Sequence, residues 1–174
     1  SMFSVVFPGQ GSQSVGMGAE LYKNYSYIKD LFNDADDILG LDLTKVILEG
    51  PKEDLDLTEN TQPAIFLASY SIFEMIKKEK NINFKDAKYF AGHSLGEYSA
   101  LSSAGYLDFS NTLKILRVRG DAMQNSVPKG QGGMVAVLGS TVEIIEKILK
   151  DNEQKFLAQI ANDNSEGQIV LSGK

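Results

Sequence analysis

Cysteine is absent from the 174 residues, and so is tryptophan. Without cysteine there is no disulfide framework, no thiol nucleophile and no thiolate metal site. Histidine occurs once, at His93. A metal centre built on several imidazoles is thereby excluded, and a mechanism that needs a histidine must use His93 or look outside this chain. No run of about 18 apolar residues occurs, so no membrane span is expected. Basic residues are outnumbered, 17 against 23 acidic, for a net charge of -6. Gripping a phosphate backbone needs a basic face, so nucleic acid is not an expected partner. No basic stretch precedes the first apolar run, so no secretion signal is read and the expected location is the cytoplasm.

Hydrophobic residues make up 43% and charged residues 23%, which is the range of a globular chain able to bury a core. Phe3 to Phe7 (FSVVF) reads as a buried strand stopped by Pro8-Gly9. A glycine-rich turn follows, then a helical pattern from Ala19 to about Leu39. Leu41 to Thr61 is a mixed acidic stretch, with Gly50-Pro51 as a breaker. Pro63 suits the first turn of a helix that runs, largely apolar, to about Lys80. A short strand is predicted over 88–91, a small-residue helix to Ala104 and another helix from Ser110 to about Ser126. This alternation predicts an α/β sheet. After the glycines around 130 the order becomes strand (134–138), capped helix (140–150) and two strands (156–161 and 168–171). That order predicts a second, smaller α+β unit, giving domains at 1–128 and 129–174.

Chemistry concentrates at Gly92-His93-Ser94-Leu95-Gly96, a G-x-S-x-G sequence between a predicted strand and helix. This is the pattern of a nucleophile elbow, which lifts a serine Oγ clear of a sharp turn. The first amides of the following helix then face a developing oxyanion. His93 directly precedes the serine, where neighbouring side chains diverge, so it is not expected to be the base. Pro8-Gly9-Gln10-Gly11-Ser12-Gln13 also follows a strand. It fits neither the dinucleotide nor the P-loop pattern, and reads equally as a flexible turn or as a loop offering N–H groups to an anion. Arg117 and Arg119 sit in apolar helical company and must find carboxylates. The partner could belong to the protein or to a substrate, and two residues apart on a helix means about 200° of rotation, so only one can share a given face.

Six stretches together resemble malonyl-CoA:acyl-carrier-protein transacylase, the acyltransferase of bacterial-type fatty-acid synthesis. They are FPGQGSQSVGMG (7–18), TQPA (61–64), AGHSLGEYSAL (91–101), RGDAMQ (119–124), GGMVAVLG (132–139) and NSEGQIVLSG (164–173). The resemblance implies a hydrolase-like α/β subdomain with a parallel sheet, plus a small ferredoxin-like subdomain, both incomplete in this chain. It implies Ser94 as acyl-enzyme nucleophile and the amides of Gln10 and Leu95 as oxyanion hole. It selects Arg119 over Arg117 to grip the malonyl carboxylate, with Met123 one turn on, and places Gln62 and Asn162 near the pocket. The implied partners are malonyl-CoA and acyl carrier protein, with no metal or other cofactor, in a protein that is monomeric when complete. The family's base, a histidine about a hundred residues after the serine, would lie beyond Lys174. The 174 residues alone are therefore expected to be inactive. The alternatives are an esterase or thioesterase using the same elbow, and a fragment that only docks carrier protein.

Overall fold

Phe3–Phe7 forms strand β1, and Ala87–Gly92 forms β2, paired with it in parallel so that Phe7 lies opposite Gly92. The computed structural model describes residues 3–80, 82–84, 87–92, 94–124 and 168–170. Between the two strands run α1 (Ala19–Asn24), α2 (Ser26–Leu39), α3 (Leu43–Glu49), α4 (Lys52–Leu55) and α5 (Thr58–Glu79). After β2 come α6 (Leu95–Ser103) and α7 (Phe109–Gln124). A third strand, β3 (Gln168–Val170), pairs in parallel with the other side of β1, giving the order β2-β1-β3. The mixed α/β class is as expected. Residues 168–171 were predicted as a strand of a second unit; β3 shares its sheet with β1 and β2. The elements predicted at 134–138, 140–150 and 156–161 lie outside the described residues.

The helical pattern predicted over 19–39 breaks at Tyr25, which adopts an extended conformation. The break has a packing reason. Tyr22 meets Phe32 edge-on, with ring centroids 5.3 Å apart. In one straight helix those residues would stand about 15 Å apart along the axis. Folding α1 back on α2 brings Tyr22 onto the buried face of Ile28, Phe32 and Ala35.

Helix α5 is the buried spine. Every residue from Thr61 to Ser69 is buried, which excludes the water that a polar helix face would need. Phe73 on α5 meets Phe84 at 4.3 Å and Phe90 of β2 at 5.6 Å, and Phe7 of β1 closes the cluster 6.3 Å from Phe73. These rings fix the sheet to the spine. On the other side α5 packs against α7, whose Leu113 and Leu116 are fully buried.

Pro63 does not open α5. The helix starts at Thr58, so the proline sits inside it and cannot donate to the carbonyl of Glu59. Arg117 supplies that missing donor: its Nη1 donates to Glu59 O at 3.0 Å and to Asn60 Oδ1. The Glu59 carboxylate stands 3.8 Å from Nη2. Arg117 thus bonds to a main-chain carbonyl and an asparagine side chain, and the carboxylate expected from sequence is the more distant partner. Arg117→Ala in the full-length protein is expected to cost about 1–2 kcal/mol of stability, since it orphans a carbonyl. In a Pro63→Ala background the loss should roughly halve, because the new amide N–H reaches Glu59 O. A urea-unfolding double-mutant cycle measures this, and equal losses in both backgrounds would refute the pairing.

Candidate active site

Parallel pairing of β1 and β2 brings the segments that follow them to one edge of the sheet, where α/β folds place their ligands. The first of these segments is the Pro8–Gly18 loop. The second is the turn into α6. Ser94 stands at that turn with φ 56° and ψ -111°, and no other described non-glycine residue has a positive φ. A serine held there is strained, by about 1–3 kcal/mol in general.

The two glycines of the elbow have packing roles. A Cβ on Gly92 would lie 2.0 Å from the carbonyl of Gly96, and a Cβ on Gly96 would lie 2.4 Å from Phe7 O. The turn must therefore pass against both the first turn of α6 and the end of β1 without side chains. Ser94 is exposed, whereas Leu95 beside it is fully buried and opens α6. The Leu95 N–H is one of the first-turn donors that a helix leaves without an intrahelical acceptor.

A chain of hydrogen bonds links the sequence-predicted residues. Arg119 Nη2 donates to Ser94 Oγ at 3.0 Å, and Nη1 donates to Gln62 Oε1 at 2.6 Å. Gln62, 1% exposed, donates through Nε2 to Gln10 Oε1 at 3.0 Å. The Arg119 guanidinium also lies 5.5 Å from the ring centroid of Tyr98, itself buried. Such a stack holds a cation over an aromatic face. Arg119 and Arg117 diverge as their 200° separation requires: one reaches the serine, the other the start of α5. Met123 sits one turn beyond Arg119 on α7 and is 49% exposed. His93 and Asn162 lie outside the described residues.

Gly120 escaped the sequence reading. A Cβ there would lie 2.4 Å from Thr58 O and 2.7 Å from Glu59 Cα. Only glycine lets α7 come this close to α5, and the approach sets Arg119 beside Gln62. The signal was available, because glycine inside an apolar helix costs about 1 kcal/mol against alanine and so calls for a packing reason. Tyr98 was also passed over. Among the described residues no group of three or more His, Asp or Glu could hold a metal ion, and no helix is long and apolar enough to cross a membrane.

The arrangement offers an exposed hydroxyl at a helix N-terminus, beside a guanidinium that can hold an anionic group. That suits acyl transfer from a carboxylate-bearing acyl donor.

Comparison with known proteins agrees with this chemistry. The chain is 45% identical over 171 residues to a malonyl CoA-acyl carrier protein transacylase of Haemophilus influenzae, covering 98% of this chain and 54% of that protein. With the protein of the same name from Bacillus subtilis it shares 45% over 174 residues, covering 99% and 54%. Among solved structures, an acyl carrier protein S-malonyltransferase from Vibrio cholerae superposes with a TM-score of 0.68 at 45% identity, covering 75% of this chain and 42% of that one. A type II PKS acyl-carrier protein in complex with its malonyl-transacylase gives 0.68 at 42% identity, covering 75% and 41%. The chain spans about half the length of the curated relatives it matches. Residues 4–174 match the acyl transferase domain, a span that contains the elbow, the arginine helix and the glutamine loop, and the chain belongs to that family.

Proposed function

We propose that the full-length protein moves a malonyl group from coenzyme A to the phosphopantetheine thiol of acyl carrier protein, through a Ser94 acyl-enzyme, in fatty-acid biosynthesis. The observation that carries this reading is the 3.0 Å contact between the strained elbow serine and Arg119. It supports the reading because a guanidinium in direct reach of the hydroxyl could turn to the carboxylate of an acyl group carried there.

In the proposed cycle Ser94 Oγ attacks the thioester carbonyl and its proton goes to a histidine base. The resemblance puts that base outside these 174 residues. The carbonyl oxygen becomes an oxyanion that accepts from the main-chain N–H groups of Gln10 and Leu95. The carbonyl re-forms as the coenzyme A thiol leaves with a proton. The carrier's thiol then attacks the ester, and Ser94 regains its proton as the malonyl thioester departs. Arg119 turns its Nη2 from Ser94 to the malonyl carboxylate, while Nη1 stays on Gln62. The reading includes a hydrolase-like subdomain over 1–128 and a ferredoxin-like one over 129–174, acting in the cytoplasm without a metal.

The test is intact-mass measurement of the full-length protein after exposure to malonyl-CoA without carrier. A single malonyl adduct is expected on the Ser94 peptide, and carrier protein should discharge it. A protein that stays unmodified, or carries the adduct elsewhere, would sink the reading.

A further inference from the structure

The Gln10 loop is tied down at a second point that the proposed chemistry does not use. Gln10 bonds to α5 through its own side chain. The next residue, Gly11, has φ 103° and donates its N–H to Gln13 Oε1 at 2.8 Å. The other end of the same carboxamide, Gln13 Nε2, donates to Asp56 Oδ1 at 2.9 Å. Lys52 Nζ donates to the second oxygen, Oδ2. Asp56 closes α4, and the segment from there into α5 is itself anchored, since Thr61 Oγ1 donates to the carbonyls of Leu55 and Leu57. Gln13 is therefore a strut: its acceptor takes the main-chain N–H one residue past Gln10, and its donor holds a carboxylate fixed to the spine.

We infer that Gln13 and Asp56 are positioning residues for the oxyanion hole, holding the Gln10 main chain at the aim it needs during acyl transfer. This rests on the acyl-transfer reading above. The physical ground is the geometry of such a site. A donor must be held within about 0.5 Å of its productive position, and a misplacement of about 1 Å costs on the order of 100-fold in rate. Ser12 closes the turn around Gln10, its N–H and Oγ donating to Gly9 O at 3.3 and 2.7 Å, and the Gln13 carboxamide ties that turn to Asp56 across the loop. The strut lies at the surface, where such bonds add little to stability. Its effect belongs to the rate and not to the fold. Opposite the Asp56 carboxylate, position 13 needs both an acceptor for the Gly11 N–H and a donor, and the Gln13 carboxamide supplies the two.

The test uses the full-length protein and single-turnover acylation by malonyl-CoA, with binding measured separately. Gln13→Glu keeps the shape and the acceptor but sets a carboxylate against Asp56. It should slow acylation about 10- to 100-fold while the malonyl-CoA dissociation constant stays within about twofold. Asp56→Ala should behave alike. Asp56→Asn keeps an acceptor for Gln13 and should stay near wild type. In Gln13→Glu/Asp56→Asn the introduced amide donates to the introduced carboxylate, and most of the rate should return. Gln13→Glu and Asp56→Ala proteins that acylate at the wild-type rate, or a double variant as slow as Gln13→Glu, would overturn the strut. If Gln13→Glu fails to fold, the Asp56→Ala and Asp56→Asn pair decides alone. A wild-type protein that forms no adduct would overturn the acyl-transfer reading and the strut with it. Normal wild-type acylation with indifferent variants would remove only the strut.

Discussion

Ser94→Ala in the full-length protein is expected to lower acyl transfer about 10⁴- to 10⁶-fold, with malonyl-CoA binding kept within a few-fold. The Oγ is the only atom removed. Leu95 stays buried and opens α6, and Arg119 keeps its bond to Gln62. What survives is the rate that oxyanion donors and substrate binding supply without a nucleophile. Alanine must adopt the same positive φ as the serine, so its stability should stay within about 1 kcal/mol of wild type. Ser94→Gly separates the two properties. Glycine adopts that conformation without strain, so this variant should be more stable than Ser94→Ala by about 1 kcal/mol and equally inactive. Single-turnover kinetics and urea unfolding of the three proteins check both halves. Substantial transfer by either variant would remove Ser94 from the chemistry.

The second large effect is on selectivity. Arg119→Ala is expected to lower kcat/KM for malonyl-CoA about 100-fold and to change that for acetyl-CoA by less than about threefold, because only the malonyl group carries a carboxylate to pair. A core defect would depress both donors together, so the ratio is the measurement that matters. Arg119→Lys should recover little. An ammonium is a point donor and cannot reproduce the planar fork that holds Gln62 with one nitrogen and a second partner with the other. Equal losses for the two donors would refute the carboxylate role.

The parts of this site that are local in sequence were readable there. Ser94 was legible because the elbow is a five-residue event whose glycines are dictated by contacts with Gly96 and Phe7. Strand β1 was readable from its apolar run and the Pro8-Gly9 stop, and α7 begins one residue before its expected start at Ser110. The acidic stretch 41–61 hid two short helices. Asp42 caps the first, its side chain accepting from Lys45 N–H at 3.1 Å, but a helix of seven residues leaves little periodicity to detect. The break at Tyr25 goes with a contact between two rings ten residues apart, Tyr22 and Phe32. The choice between Arg117 and Arg119 was open from the residues and was made by resemblance. In the structure Arg117 serves the carbonyl that Pro63 leaves, and Arg119 reaches the serine. The bond between Gln13 and Asp56 spans 43 residues, and nothing in either residue's neighbourhood announces the other.

The close approach at Gly120 also has a consequence for building chimeras. Contacts that cross between the start of α5 and α7 include Gly120 against Thr58, Arg117 to Glu59 and Asn60, Arg119 to Gln62, and Gln124 Oε1 accepting from Thr58 N–H. A crossover placed between residues 63 and 116 takes the two sides of every one of these contacts from different parents, even where it leaves the elbow sequence whole. Residues 58–124 behave as one heritable block. Exchange of acyl selectivity between related enzymes should therefore cut before Thr58 and after Gln124, with the serine carried along inside.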